Sequence, residues 1–94
     1  MDISKSKTMA ISEASARIRG RKTVVGAKQL RKSLQNGTAR QVFLARNADP
    51  AITEPIEALC RERNVEYGYV ASMAELGRIC GIEVGAAAAA ALDI

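Results

Sequence analysis

The stretch Val25-Gly26-Ala27-Lys28-Gln29 holds the residue types best suited to chemistry in this chain. A β-branched run, Thr23-Val24-Val25, stops at a glycine, and helical spacing begins directly after it. The first turn of a helix offers free backbone N–H groups and the positive end of a dipole, which together suit an anion such as phosphate. Gly26 and Ala27 carry little or no side chain, so a bulky partner can come close to the backbone there. Lys28 and Gln29 then extend beyond the helix start toward base edges, since lysine bonds guanine O6 and N7 and glutamine bonds a base edge bidentately. Arg31 and Lys32 follow one turn later, and with Arg40 they suit backbone phosphates. The nucleotide-binding phosphate-loop pattern is missing, because its lysine and hydroxyl residue do not occur in place.

Other reactive residues have plainer explanations. The chain has no histidine and no nucleophile-elbow pattern, so no enzymatic activity is expected. The acid pairs Glu54/Glu57 and Glu62/Glu66 have helix-surface spacing and read as solvated charge. Ser72, three residues before Glu75, reads as a helix cap. Tyr67 and Tyr69 fall on one face of a strand, where base stacking is conceivable but packing in a core or at an edge is the preferred reading. Cys60 and Cys80 have no histidine beside them and do not make a structural zinc site; they read as small apolar residues in a reducing compartment. The expectation is a cytoplasmic protein with no metal and no cofactor.

Charge points to the partner. Residues 1–46 carry eleven lysines and arginines against Asp2 and Glu13, while residues 47–94 carry three arginines against eight acids. A basic half of this kind is the footprint of a polyanion. No apolar run approaches the ~20 residues that span a bilayer, and the polar, basic start is unlike a secretory signal, so no membrane role is expected.

The elements that must position these residues follow from periodicity. Residues 1–9 read as a flexible, polar N-terminus before a single domain over 10–94. Ile11, Ala14 and Ile18 predict a short helix ending near Gly20. The strand Thr23–Val25 precedes a helix over 27–35 whose apolar face is Ala27, Leu30 and Leu34, stopped by Asn36-Gly37. Val42-Phe43-Leu44-Ala45 predicts a strand covered on both sides. Asn47 to Pro50 reads as a turn, and the next helix is expected to be capped at Thr53, with Pro55 in its first turn and Asn64 at its end. Tyr67–Val70 predicts a strand, and Ser72 opens a helix closed by Gly81. Ala86–Ala91 has helical propensity, but the alternation before it asks for a strand with small side chains. The expected architecture is α/β: a three-layer α-β-α sandwich on a central, mixed four-stranded sheet.

Three motifs in order carry a resemblance. Gly26-Ala27-Lys28-Gln29-Leu30-Arg31-Lys32, then Ala48-Asp49-Pro50, then the segment Leu76-Gly77-Arg78 through Ala88 resemble the kink-turn-binding ribosomal protein family. That family includes the archaeal large-subunit "seven-Ae" protein, its eukaryotic "thirty-e" relatives and short bacterial homologues. The resemblance implies the same sandwich and binding of a kink-turn, a duplex with a bulge followed by tandem sheared G·A pairs. In the family the helix opening Gly-x-Asn-Glu-x-x-Lys meets those pairs. Gly26 and Lys32 match it, whereas Lys28 and Gln29 replace its Asn and Glu, as in the bacterial homologues, so the base contacts differ in detail. The family's acid near a flipped-out nucleotide falls on Asp49, and the loop covering that nucleotide falls on Ile82-Glu83-Val84-Gly85.

The leading expectation is therefore a monomeric protein that binds structured RNA, such as ribosomal RNA or a riboswitch, and stabilises its kink. A protein-interaction module using the acidic half, or an RNA-recognition domain related to RNA-modifying enzymes, are the competing classes. Salt-sensitive binding that needs Gly26 and Lys28 separates the first class from a protein module.

Overall fold

The structure is a computed structural model that describes residues 8–93. Five strands form one sheet: β1 (Thr8–Met9), β2 (Thr23–Val25), β3 (Ala39–Ala45), β4 (Glu66–Val70) and β5 (Ala88–Leu92). Four helices join them: α1 (Ile11–Ile18), α2 (Ala27–Asn36), α3 (Pro50–Glu62) and α4 (Met73–Ile79). The spatial order is β1-β4-β3-β5-β2, with β1, β3 and β4 parallel and β5 antiparallel to both β3 and β2. The expected sandwich holds, but the sheet has five strands rather than four. Thr8 and Met9, expected in the flexible N-terminus, pair with Tyr69 and Val70 at the β4 edge. Two residues are too short to show an alternating pattern. The rest of that expected flexible stretch lies outside the described residues.

Each face of the sheet has its own core. Leu30 and Leu34 of α2 and Ile56 and Cys60 of α3 pack with Val42, Leu44, Ala88 and Ala90. Ala14 of α1 and Leu76 of α4 pack with Phe43, Ala45, Val70, Ala89 and Ala91 on the other face. Burial on both faces explains the unbroken apolar run of β3. It also explains the alanines of β5, all buried: a strand with helices on both sides and little side-chain volume lets the layers lie close. The strand expected at Ala86–Ala91 is found two residues later at its start and one at its end.

Two helix readings need correction. The third helix begins at Pro50, not after Thr53: Asp49 is its cap, with Oδ1 accepting from the Ala51 N–H at 2.9 Å. Proline is favoured in the first helical position, where its missing N–H costs nothing, and that preference sets the start. Thr53 is thereby moved to the buried face, and Pro55 lies inside the helix. Glu57 lies four residues after Thr53 and three before Cys60, so it shares their buried stripe and is 1 % exposed instead of solvated. Its carboxylate accepts from the Tyr69 hydroxyl at 3.0 Å and from Arg61 at 3.3 Å, which offsets the desolvation of a buried charge. The cap expected at Ser72 is present, its hydroxyl accepting from the Glu75 N–H at 3.1 Å.

Cys60 and Cys80 are free thiols, Cys60 fully buried and Cys80 half-buried. Burial, aided by the nearby Glu57 carboxylate, pushes the Cys60 thiol up to about 12. Burial and the hydrogen bond to Glu57 push Tyr69 up to about 12 as well. Both groups bind their protons more tightly folded than unfolded. The stability this gives is complete below the unfolded-state values and is lost as pH rises through the folded ones. Unfolding free energy should therefore fall between about pH 9 and pH 12. Denaturant titrations of the wild type and Cys60→Ala across that range test this. The alkaline decline should be shallower in Cys60→Ala, and identical slopes would remove Cys60 as a cause.

Candidate nucleic-acid interface

The parallel strands β2, β3 and β4 all end at one edge of the sheet, and a helix begins after each. In open α/β sheets, ligands bind outside the carboxyl ends of such strands. That edge carries the start of α2, the loop 46–49 and the segment 80–87 that leads into β5. The three are tied by backbone bonds: Gly26 N–H to Ala88 C=O at 3.0 Å, Ala45 N–H to Ala87 C=O at 3.0 Å, and Ala86 N–H to Met73 C=O at 3.0 Å. Asn47 adds a side-chain tie, its Oδ1 accepting from the Met73 N–H at 2.8 Å.

The start of α2 differs from the other helix starts. No side chain caps it, and no acid lies in its first turn. By contrast Asp49 caps α3, Ser72 caps α4 with Glu75 in the first turn, and Glu13 lies in the first turn of α1. The positive end of α2 is therefore offset neither by a capping side chain nor by an acid in its own first turn. Gly26, its N-cap, has φ +104°, a conformation open to glycine and strained for L side chains. A Cβ there would meet nothing within 4 Å, so the glycine serves backbone shape and leaves open space before the helix. Lys28, Arg31 and Lys32 are exposed at i, i+3 and i+4, and Gln29 is exposed beside them, while Leu30, Ser33 and Leu34 face the core.

The loop 82–85 is shaped by two glycines. A Cβ on Gly77 would lie 2.1 Å from the Val84 carbonyl oxygen, so the loop backbone rests directly on α4. A Cβ on Gly85 would lie 3.1 Å from Cβ of Met73. Ile82 is half-buried against the core, with its N–H on Gly77 C=O at 3.0 Å. Glu83 and Val84 face outward, Val84 at 70 % exposure.

The structure thus brings together Gly26, Ala27, Lys28, Gln29, Asp49 and the loop 82–85 at one edge, with Arg31 and Lys32 one turn along α2. It does not bring Arg40 there. Arg40 lies near the start of β3, and five strand steps to Ala45 span about 17 Å. It also falls between Ala39 and Gln41 where the register with β5 shifts, as the extra residue of a bulge.

A family model described as "Ribosomal protein L7Ae/L30e/S12e/Gadd45 family" matches residues 9–94. The chain belongs to this family. Among its relatives, the RNA-binding protein TTE2299 of Caldanaerobacter subterraneus subsp. tengcongensis is 45 % identical over 69 residues, covering 73 % of this chain and 84 % of that protein. The RNA-binding protein YbxF of Geobacillus stearothermophilus is 45 % identical over 71 residues, covering 76 % and 87 %. Among solved structures, the Giardia lamblia 15.5kD RNA binding protein superposes with a TM-score of 0.74 at 25 % identity, over 89 % of this chain and 68 % of that one. A Bacillus halodurans protein of unknown function shares the fold, with a TM-score of 0.71 at 23 % identity.

Sequence reasoning missed two residues at this family edge. Arg46 closes β3, its N–H on Val70 C=O at 2.9 Å and its guanidinium 5.0 Å from the Tyr69 ring centre, with Nε bonded to Thr8 Oγ1. Its signal is a lone cation directly after an apolar strand. Asn47 was read only as a turn residue, and its bond to Met73 had no local signal. The Gly77 contact yields a direct test. Gly77→Ala should destabilise the fold by about 1–3 kcal/mol, because backbone must move to admit the methyl. Amide chemical-shift changes should centre on residues 82–85; unchanged stability and shifts would show that the contact does not fix the loop.

Proposed function

We propose that this chain is an RNA-binding protein that recognises and stabilises a kink-turn, acting as a cytoplasmic monomer in a ribosomal or other ribonucleoprotein setting. The observation that carries the reading is the uncapped, acid-free start of α2, set with its exposed Lys28, Arg31 and Lys32 beside the clamped loop 82–85. Family membership and relatives named as RNA-binding proteins support the same partner.

In this reading the free N–H groups and dipole of α2 take phosphate oxygen, and the open space at Gly26 admits the RNA backbone. Lys28 and Gln29 meet the edges of the sheared G·A pairs, while Arg31 and Lys32 neutralise flanking phosphates. Asp49 and the loop Ile82–Gly85 lie at the extruded nucleotide, with Val84 as its apolar cover. Asp49 already gives Oδ1 to the α3 cap, leaving Oδ2 for the nucleotide. The role is binding rather than catalysis. The protein acts by differential affinity: it holds the bent RNA more tightly than the straight one and shifts the population toward the bend.

Affinity for a kink-turn RNA should exceed that for a plain duplex of equal length at physiological salt, and equal affinities would overturn the proposal. Gln29→Ala tests direct readout without changing charge. Its cost should be about 1–3 kcal/mol on kink-turn RNA and much less on RNA whose G·A pairs are made Watson–Crick. Equal losses on both RNAs, or none, would leave recognition to shape and charge alone. Neutralising Arg31 and Lys32 should weaken every RNA and lower the salt slope by roughly 0.7–0.9 per contact. A slope left unchanged by both substitutions would take them out of the interface.

A further inference from the structure

At the other end of the sheet lies a cleft of about 570 Å³ that the kink-turn reading leaves unused. Its lining includes Arg17 and Arg19 from the end of α1, Arg21 before β2, and Arg40 from β3. Four guanidinium groups thus converge from separate parts of the chain, with Glu66 the one acidic residue in the lining. We propose that this cleft is a second RNA site, which holds the phosphate backbone of an RNA segment distinct from the one at the α2 edge. The choice of RNA as the polyanion rests on the reading above; the cleft itself does not.

The local pairing of these arginines is weak. Asp93 is shared, 3.8 Å from Arg21 and 3.9 Å from Arg40, and Arg17 meets Glu13 at 2.9 Å on the surface. Exposed pairs of this kind contribute little, and each engages a single nitrogen of a guanidinium that carries five N–H donors. Arg19 forms no ion pair among the described residues. The bulge at Arg40 is a device that re-aims a side chain out of the strand's alternation, and here it adds a fourth cation to the cleft.

The lining fits a backbone rather than bases. Apart from Ala16, it consists of polar or charged residues, with Gln41 and Asn64 beside the arginines and no aromatic platform. Arginine's planar fork matches phosphate oxygens in pairs, and contacts of this type hold RNA without reading sequence. The two ends are separated by roughly the length of β3, about 20 Å, so one molecule can touch two RNA segments at once.

The test uses the full chain and the variant Arg17→Gln/Arg19→Gln/Arg21→Gln, all three positions being exposed, with circular dichroism to check the fold. Protein saturated with unlabelled kink-turn RNA is titrated into a fluorescent plain RNA duplex, and anisotropy reads the ternary complex. The wild type should form it. The variant should bind the duplex roughly tenfold more weakly or worse, with a shallower salt dependence, while its kink-turn affinity changes by less than about twofold. No ternary complex, or one equally strong with the variant, overturns the proposal. If the wild type shows no preference for kink-turn RNA, the preceding proposal fails, and the cleft is judged on duplex binding to free protein. There, loss in the variant supports the second site, and no loss overturns it.

Discussion

Strand β5 runs against both of its neighbours, and this single reversal organises the molecule. A chain of repeated strand–helix units would place its last strand parallel to β3. Here the segment after α4 must instead turn at the carboxyl edge of the sheet and enter β5 from that side. Ala87 and Ala88, at its start, then accept from Ala45 on one neighbour and Gly26 on the other. The strand that completes both cores therefore also pins the helix start and the loop 80–87 to one edge. Its alanines make this possible, because a bulky strand between two helical layers would force them apart.

The passage of the chain along β2 and back through α2 separates the charges of the basic half. Lysines and arginines that lie together in the sequence are divided between two ends of a sheet about 20 Å long. Lys28, Arg31 and Lys32 face outward along α2 near one end, while Arg19, Arg21 and Arg40 gather at the other. An overall charge of +4 thus understates two local fields with different surroundings. One stands beside an uncapped helix start and a shaped loop; the other lies in an open cleft whose carboxylates satisfy it only in part.

Most of the layer order is legible in the sequence, because apolar patterning is a local signal that marks the helices and the strands β2, β3 and β4, while β5, a run of alanines, follows only from the alternation of the elements before it. Gly26 through Lys32 is legible for the same reason: a strand, a glycine and a basic helix are consecutive. Asp49 and the loop 82–85 came from motif resemblance, since nothing in their spacing alone assigns them. What was not legible depends on contacts between distant residues. Glu57 looks like surface charge because its partner is distant in sequence, and only the packing of α3 on the sheet sets the acid opposite the Tyr69 hydroxyl. Arg40 looks like a neighbour of the α2 cations because it follows them in sequence, yet the turn at Gly37 sends it to the far end. Asn47 reads as one more turn residue, and only the proximity of α4 gives its side chain a partner.

The seat of the Val84 carbonyl on Gly77 divides labour within a short loop. Shape is fixed by main chain lying on main chain, with two glycines keeping the space clear and Ile82 acting as a peg in the core. The side chains of Glu83 and Val84 face outward, apart from this main-chain contact, and can be exchanged without redrawing the loop's course. Drift at those two positions can retune which partner is accepted while the scaffold stays constant. A substitution at Gly77, far less conspicuous from outside, would disturb every version of that surface at once.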